Sequence, residues 1–321
     1  MSENPSTTVA TSAGADEIRH ARAWLSRAVE PGDPALYRAL TRWGPVETVR
    51  RLRENTTGGI RPGDDLPQEL DDLRRRTHQV TDALVTADLR IAADLGARLV
   101  TPEDGEWPGQ RLKALAAEDG SLDLVPPVAL WVQGPRELNA PTGRDVAIVG
   151  TRAATAYGER VAADLAYALA DSDWTVVSGG AYGIDGAAHR GALVRGGVTV
   201  AVLGSGLRWP QPAGHASLFA SIRAGGSLVS EWPPDAGACR QRLMMRNRLI
   251  AGLSAGVVGV EALPRSGAVS IGSWAVTFGR PLMVVPGPVT SAASAGCHLL
   301  LRRGQAQLVT NAEQVIHALT S

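Results

Sequence analysis

The chain has 321 residues, 44% of them hydrophobic, and a formal net charge of zero. That suits a large domain with a real core plus a smaller one, and it excludes a generally basic nucleic-acid binder while leaving room for a local basic patch. No apolar run approaches the roughly 20 residues that span a bilayer, the opening MSENPSTTVATSAGADE lacks a basic start and an apolar centre, and Cys239 and Cys297 are too few for a disulfide framework or a zinc site. The expectation is a cytoplasmic protein with no membrane contact, no metal and no cofactor.

Residues 1–16, rich in Ser, Thr and Ala, are expected to be a disordered tail. A helical module is expected over 17–97. A first helix with Ala23, Leu25 and Ala28 stops at Pro31-Gly32-Asp33-Pro34, a second starts at Leu36, and Trp43-Gly44-Pro45 turns into a third over Val46 to Leu52. Such helix-turn-helix units either touch DNA backbone or simply pack. Residues 55–67 read as a loop, and Leu70 to Leu95 as a further helical stretch whose Arg74-Arg75-Arg76 is a solvated face rather than a binding site.

Arg98 to Thr101 and Val128 to Val132 read as short strands around a helix over Leu112 to Ala117, and Pro135 to Arg144 as a polar connector. From Val146 strands and helices alternate. Val146 to Val149 is a buried β-branched run stopped by Gly150. An amphipathic helix follows from Ala156, then a strand over Thr175 to Val177. Helices are expected over Ile184 to Val194, Ala213 to Arg223, Leu243 to Leu253, Ser266 to Phe278 and Cys297 to Arg302. Strands are expected over Val198 to Leu203, Ser227 to Val229, Val257 to Glu261, Leu282 to Val285 and Gln307 to Val309. This alternation predicts an open, doubly wound, mostly parallel α/β sheet over 98–321, with helices on both faces.

The strand ends repeat one chemistry: Gly150-Thr151-Arg152, Ser178-Gly179-Gly180, Gly204-Ser205-Gly206, Ser230-Glu231, Glu261-Ala262 and Pro286-Gly287-Pro288. In a parallel sheet these share one rim, where glycine turns and helix N-termini favour anions. A triphosphate-binding G-x-x-x-x-G-K-[ST] loop is absent, and Arg152 stands where a dinucleotide fingerprint needs a small residue, so ATP and NAD are poor candidates. Lys113 is the only lysine. Arginine forks onto phosphate, and Arg240, Arg242, Arg246 and Arg248 form a second basic element, with Arg242 and Arg246 on one helix face. Ser178, Asp185 and His189 lie close enough for a hydrolase constellation to be weighed, but the G-x-S-x-G elbow is missing and a capping Asp with a structural His is the simpler reading.

The runs VAIVGTR, SGGAYGIDGAAHRGAL, VTVAVLGSGL, LVSEWPP, RNRLIAGLS, VEALPRSGA and GRPLMVVPGPV, in this order over about 146–309, resemble the DNA-processing protein A family (DprA, also called Smf). The resemblance implies an extended Rossmann-like domain behind a small helical module of SAM or helix-hairpin-helix type. It also implies binding and protection of single-stranded DNA, a homodimer, and loading of a RecA-type recombinase in natural transformation, without catalysis. Its phosphate pocket falls on Gly150, Thr151, Arg152, Ser178, Gly179, Gly204, Ser205, Gly206, Arg246, Asn247 and Arg248, with Trp209 placed to stack on a base. Trp209-Pro210 replaces a frequent Tyr-Pro, and Ile271-Gly272 replaces a Thr-Ala, which removes a hydroxyl contact or helix cap. The chain ends soon after its last strand, so no C-terminal winged helix is expected. The alternative is a nucleotide-processing enzyme such as a nucleoside-monophosphate phosphoribohydrolase. It would use a rim carboxylate, Glu231 or Glu261, although Pro286-Gly287-Pro288-Val289-Thr290 lacks that class's glycine cradle and Glu.

Overall fold

The structure is a computed structural model that describes residues 5–54, 66–116, 125–140 and 143–321. Helices α1 (Pro5–Ala28), α2 (Pro34–Glu54), α3 (Leu66–Thr77) and α4 (Asp82–Asp94) come first. Helix α1 begins at Pro5, within the stretch expected as a tail. Its C-terminal half is anchored by buried Ala21, Ala23, Trp24 and Leu25. Residues 1–4, and 55–65 of the expected loop, lie outside the described residues. The turn at Trp43-Gly44-Pro45 is a kink inside α2, where Gly44 has φ 74°.

Strand β1 (Ala97–Val100), a short α5 (Gly109–Leu112) and β2 (Leu130–Gln133) lead into the alternating part. It comprises β3 (Asp145–Val149), α6 (Ala156–Asp171), β4 (Thr175–Ser178), α7 (Ile184–Val194), β5 (Thr199–Leu203), α8 (Ala216–Gly225) and β6 (Ser227–Ser230). It continues through α9 (Arg240–Leu253), β7 (Gly256–Gly259), α10 (Gly267–Thr277), β8 (Leu282–Val284), α11 (Ala295–Arg302), β9 (Gln307–Leu308) and α12 (Ala312–Thr320). The last helix has no counterpart among the expected elements. Asn311 caps it, accepting from Gln314 N at 2.9 Å, and Val315 packs into the core.

One nine-stranded sheet has the order β1-β2-β6-β5-β4-β3-β7-β8-β9. From β6 to β9 every pair is parallel, as the β-branched runs require, while β2 pairs antiparallel with both β1 and β6. The chain winds outward from β3 to β6, then crosses back to β7 on the other side of β3. The order therefore reverses between β3 and β7, and ligands of open α/β sheets bind outside the carboxyl ends at such a reversal. One sheet face packs on α9 and α10, the other on α6, α7 and α12. The helical module shares a core with the sheet edge, where Trp24, Leu36, Leu70 and Val85 join Trp131, Leu203, Phe219 and Leu228. Among the described residues no helix is long and apolar enough to cross a membrane.

Candidate nucleic-acid interface

The loop after β3 is fixed before it reaches Arg152. Thr151 N donates to the Glu261 carbonyl at 2.7 Å, and Ile184 N donates to the Thr151 carbonyl at 3.2 Å. The Glu261 carboxylate, at the end of β7, accepts from Thr155 N at 2.9 Å and from the Thr155 hydroxyl at 2.6 Å. Gly150 permits this closeness, since a Cβ there would meet Ile184 Cγ1 at 2.4 Å. Arg152 emerges from the clamped loop exposed, with no hydrogen bond or ion pair to its side chain among the described residues.

Beside it opens a cavity of about 350 Å³, lined by Arg152, Gly179, Ala181, Tyr182, Gln211, Pro212, Ala238, Leu243 and Arg246. Arg246, on α9, forms the buried wall and donates through Nη1 to the Val202 carbonyl. It lies against Gly179, where a Cβ would sit 2.2 Å from Nη1. Burial pushes Arg246 down to about 10; Asp185 opposes this and the charge of Arg152 adds to it, so the side chain is still a cation at neutral pH. Asp185 is itself raised by burial, against the pull of Arg246 and the N–H groups of Ala181, Gly150 and Gly179. The cavity thus places two guanidiniums within electrostatic reach of each other, one of them unpaired.

A family model described as DNA recombination-mediator protein A matches residues 98–320. The chain belongs to this family. It is 47% identical over 303 residues to a putative DNA processing protein DprA of Mycobacterium tuberculosis, covering 92% of this chain and 74% of that protein. It is 44% identical over 194 residues to protein Smf of Escherichia coli, covering 60% and 51%. The X-ray structure of DprA from Streptococcus pneumoniae matches with a TM-score of 0.68 at 27% identity, over 88% of this chain and 97% of that one. DprA of Helicobacter pylori, whose structure addresses its single-stranded DNA binding mode, matches with a TM-score of 0.59 at 30% identity, over 70% and 96%. The protein is therefore a DprA-family DNA processing protein of recombination.

Of the residues that the DprA resemblance implied, the cavity gathers Arg152, Gly179 and Arg246; Gly150 and Thr151 shape the loop beneath them. The others sit elsewhere. Gly204 packs on the backbone of Leu243, with a Cβ position 3.1 Å from its Cα. The Gly206 amide is engaged by the Ala236 carbonyl at 2.7 Å, and the Ser205 hydroxyl is buried with no partner in the structure. Asn247 Nδ2 donates to the Gly267 carbonyl at 3.4 Å, and Arg248 donates through Nη2 to both oxygens of Glu231 at 2.7 and 2.8 Å, fully buried. Trp209 is exposed, but its ring lies under Arg208 at 5.2 Å and does not line the cavity. The cavity also draws in Tyr182, Gln211, Pro212, Ala238 and Leu243, which the sequence does not single out. Only Tyr182 carried a signal, an aromatic set inside the glycine turn SGGAYGIDG.

Ile271 and Gly272 fall mid-helix in α10 and are buried, and Ser266 provides the cap by accepting from Val269 N at 3.4 Å. The replacement of Thr-Ala therefore removes no cap. The hydrolase constellation does not assemble either. The Ser178 hydroxyl donates to the Ile148 carbonyl at 2.7 Å, and His189 Nδ1 meets the Thr199 hydroxyl at 2.7 Å. Burial drives the His189 imidazole down to about 3, so it is neutral at physiological pH. Glu231 and Glu261, the rim carboxylates that a nucleotide-processing enzyme would use, are both engaged in internal bonds.

Proposed function

We propose that the chain binds single-stranded DNA along this rim, a backbone phosphate lying on Arg152 with Arg246 behind it. The observation that carries the reading is the unpaired guanidinium of Arg152, held by a locked loop beside a cavity that a second, buried arginine also lines. Guanidinium forks take phosphate oxygens in bidentate fashion, and a local basic pocket suffices for a flexible strand even when the chain as a whole is neutral. A duplex, stiff and wide, fits a recessed pocket poorly.

The reading extends to protection of incoming strands and loading of a RecA-type recombinase in natural transformation, supported by the family's description as a recombination mediator. It also includes a homodimer through the α/β domain. Within the apolar run Leu299-Leu300-Leu301, Leu300 is core and Leu301 packs against it, which leaves the half-buried Leu299 for such a contact.

Anisotropy of a labelled oligonucleotide across a salt series tests the central claim. Single strands should bind more tightly than duplex, with log K falling linearly against log salt. Equal affinity for both forms, or indifference to salt, would remove the phosphate site.

A further inference from the structure

Three aromatic side chains are exposed just beyond the carboxyl ends of the neighbouring strands β3, β4 and β5: Tyr157, Tyr182 and Trp209. Their surroundings differ. The Tyr157 hydroxyl donates to the Pro286 carbonyl at 2.8 Å, and Trp209 carries Arg208 over its ring. Tyr182 alone of the three lines the cavity with Arg152 and Arg246.

Its ring is oriented in advance. The β4–α7 turn bends at Gly180 (φ 71°) and Gly183 (φ 70°), residues either side of Tyr182. His215 packs edge-on against the ring, centroids 4.7 Å apart and planes at 71°; it is itself buried, with Nδ1 3.0 Å from the Gly180 carbonyl, and Phe219 lies behind it at 6.2 Å. Gly214 leaves the space that the tyrosine hydroxyl fills, since a Cβ there would lie 2.4 Å from the oxygen. Tyr182 is nonetheless 48% exposed. An aromatic held from one side and open on the other, beside an unpaired cation, has the composition of a nucleotide site: a π-face for the base and a fork for its phosphate.

We propose that Tyr182 is the base-stacking residue of this site, so that one nucleotide enters the cavity with its base on the Tyr182 ring and its phosphate on Arg152. This rests on the single-stranded DNA reading above. Stacking is tolerant of sequence because every base has a π-face, so the site distinguishes an unstacked, single-stranded nucleotide from a paired one rather than one base from another.

The test compares the full chain with its Tyr182→Leu, Tyr182→Phe, Tyr182→Trp and Arg152→Ala variants on two probes: an oligodeoxynucleotide and an abasic deoxyribose-phosphate strand of equal length. The unaltered chain should prefer the base-bearing strand by roughly 5- to 150-fold. Tyr182→Leu should erase that preference while leaving abasic binding unchanged, and Tyr182→Phe and Tyr182→Trp should keep it. Arg152→Ala should weaken both probes alike. A preference that survives Tyr182→Leu, or is lost in Tyr182→Phe, overturns the stacking role alone. Failure of the unaltered chain to bind either probe overturns the DNA reading and the stacking role together.

Discussion

Glu231 follows β6 and Glu261 follows β7, both buried on the same rim of the sheet. Glu231 meets a charge: Arg248, from α9, donates to both of its oxygens. Burial raises the Glu231 carboxyl, and Arg248 opposes that shift. Glu261 meets neutral donors instead, the N–H and hydroxyl of Thr155, and thereby ties down the loop that carries Arg152. The difference shows how a site keeps a cation free. With one carboxylate taken by an interior arginine and the other by a loop backbone, neither is left for Arg152, whose charge is available to a ligand.

Breaking the Glu231 side should give the largest effect, and it should be on stability. Arg248→Ala strands a buried carboxylate, which costs about 3–5 kcal/mol, whereas replacing both partners by apolar residues of similar volume, Arg248→Met with Glu231→Leu, should recover much of that. Denaturant midpoints of the three proteins would show it. If Arg248→Ala melted normally but lost DNA binding, Arg248 would belong to the interface and the contrast between the two glutamates would fail.

Arg152→Ala should do the reverse. Removing a charge-assisted bidentate contact is expected to cost about 1.5–3 kcal/mol, roughly 10- to 150-fold in affinity, with no change in melting temperature because no internal partner is lost. Arg152→Lys should restore only part of the affinity, since a point charge does not reproduce the fork. Binding that stays constant in Arg152→Ala would place the phosphate elsewhere on the rim.

Most of the sheet was legible because its evidence is local. A β-branched run ended by glycine marks β3, and helical spacing marks α7 over Ile184–Val194. The same local logic overlooked α12, a short helix after a weak edge strand, and gave no hint that β2 joins β6 antiparallel. At the site, glycines and arginines advertise a rim but not what each one meets. Arg248 finds Glu231 seventeen residues away across a helix and a strand end, and the Gly206 amide is taken by Ala236 in the following loop. Tyr182 becomes a platform only because His215, from beyond β5, packs on it. Pairings of this kind arise from tertiary closure, and spacing in the chain does not encode them.

The smallest effect should come from loosening the Glu261 clamp without opening it. The Thr155 hydroxyl serves twice, accepting from Gly158 N at 3.1 Å as the cap of α6 and donating to Glu261 at 2.6 Å, while Thr155 N keeps its own bond to the same carboxylate at 2.9 Å. Thr155→Ala therefore removes a cap and one of two tethers, and Glu261 retains a donor. A lost N-cap costs about 1 kcal/mol, so a modest drop in melting temperature is expected. The bonds from Thr151 N to the Glu261 carbonyl and from Ile184 N to the Thr151 carbonyl still fix the backbone next to Arg152. Affinity for single strands should consequently fall by less than in Arg152→Ala, and Thr155→Ser, which keeps the hydroxyl, should restore both properties. Loss of binding as deep as that of Arg152→Ala, with the melting temperature unchanged, would mean that the Thr155 hydroxyl contacts DNA directly and that Glu261 orients a ligand group rather than a loop.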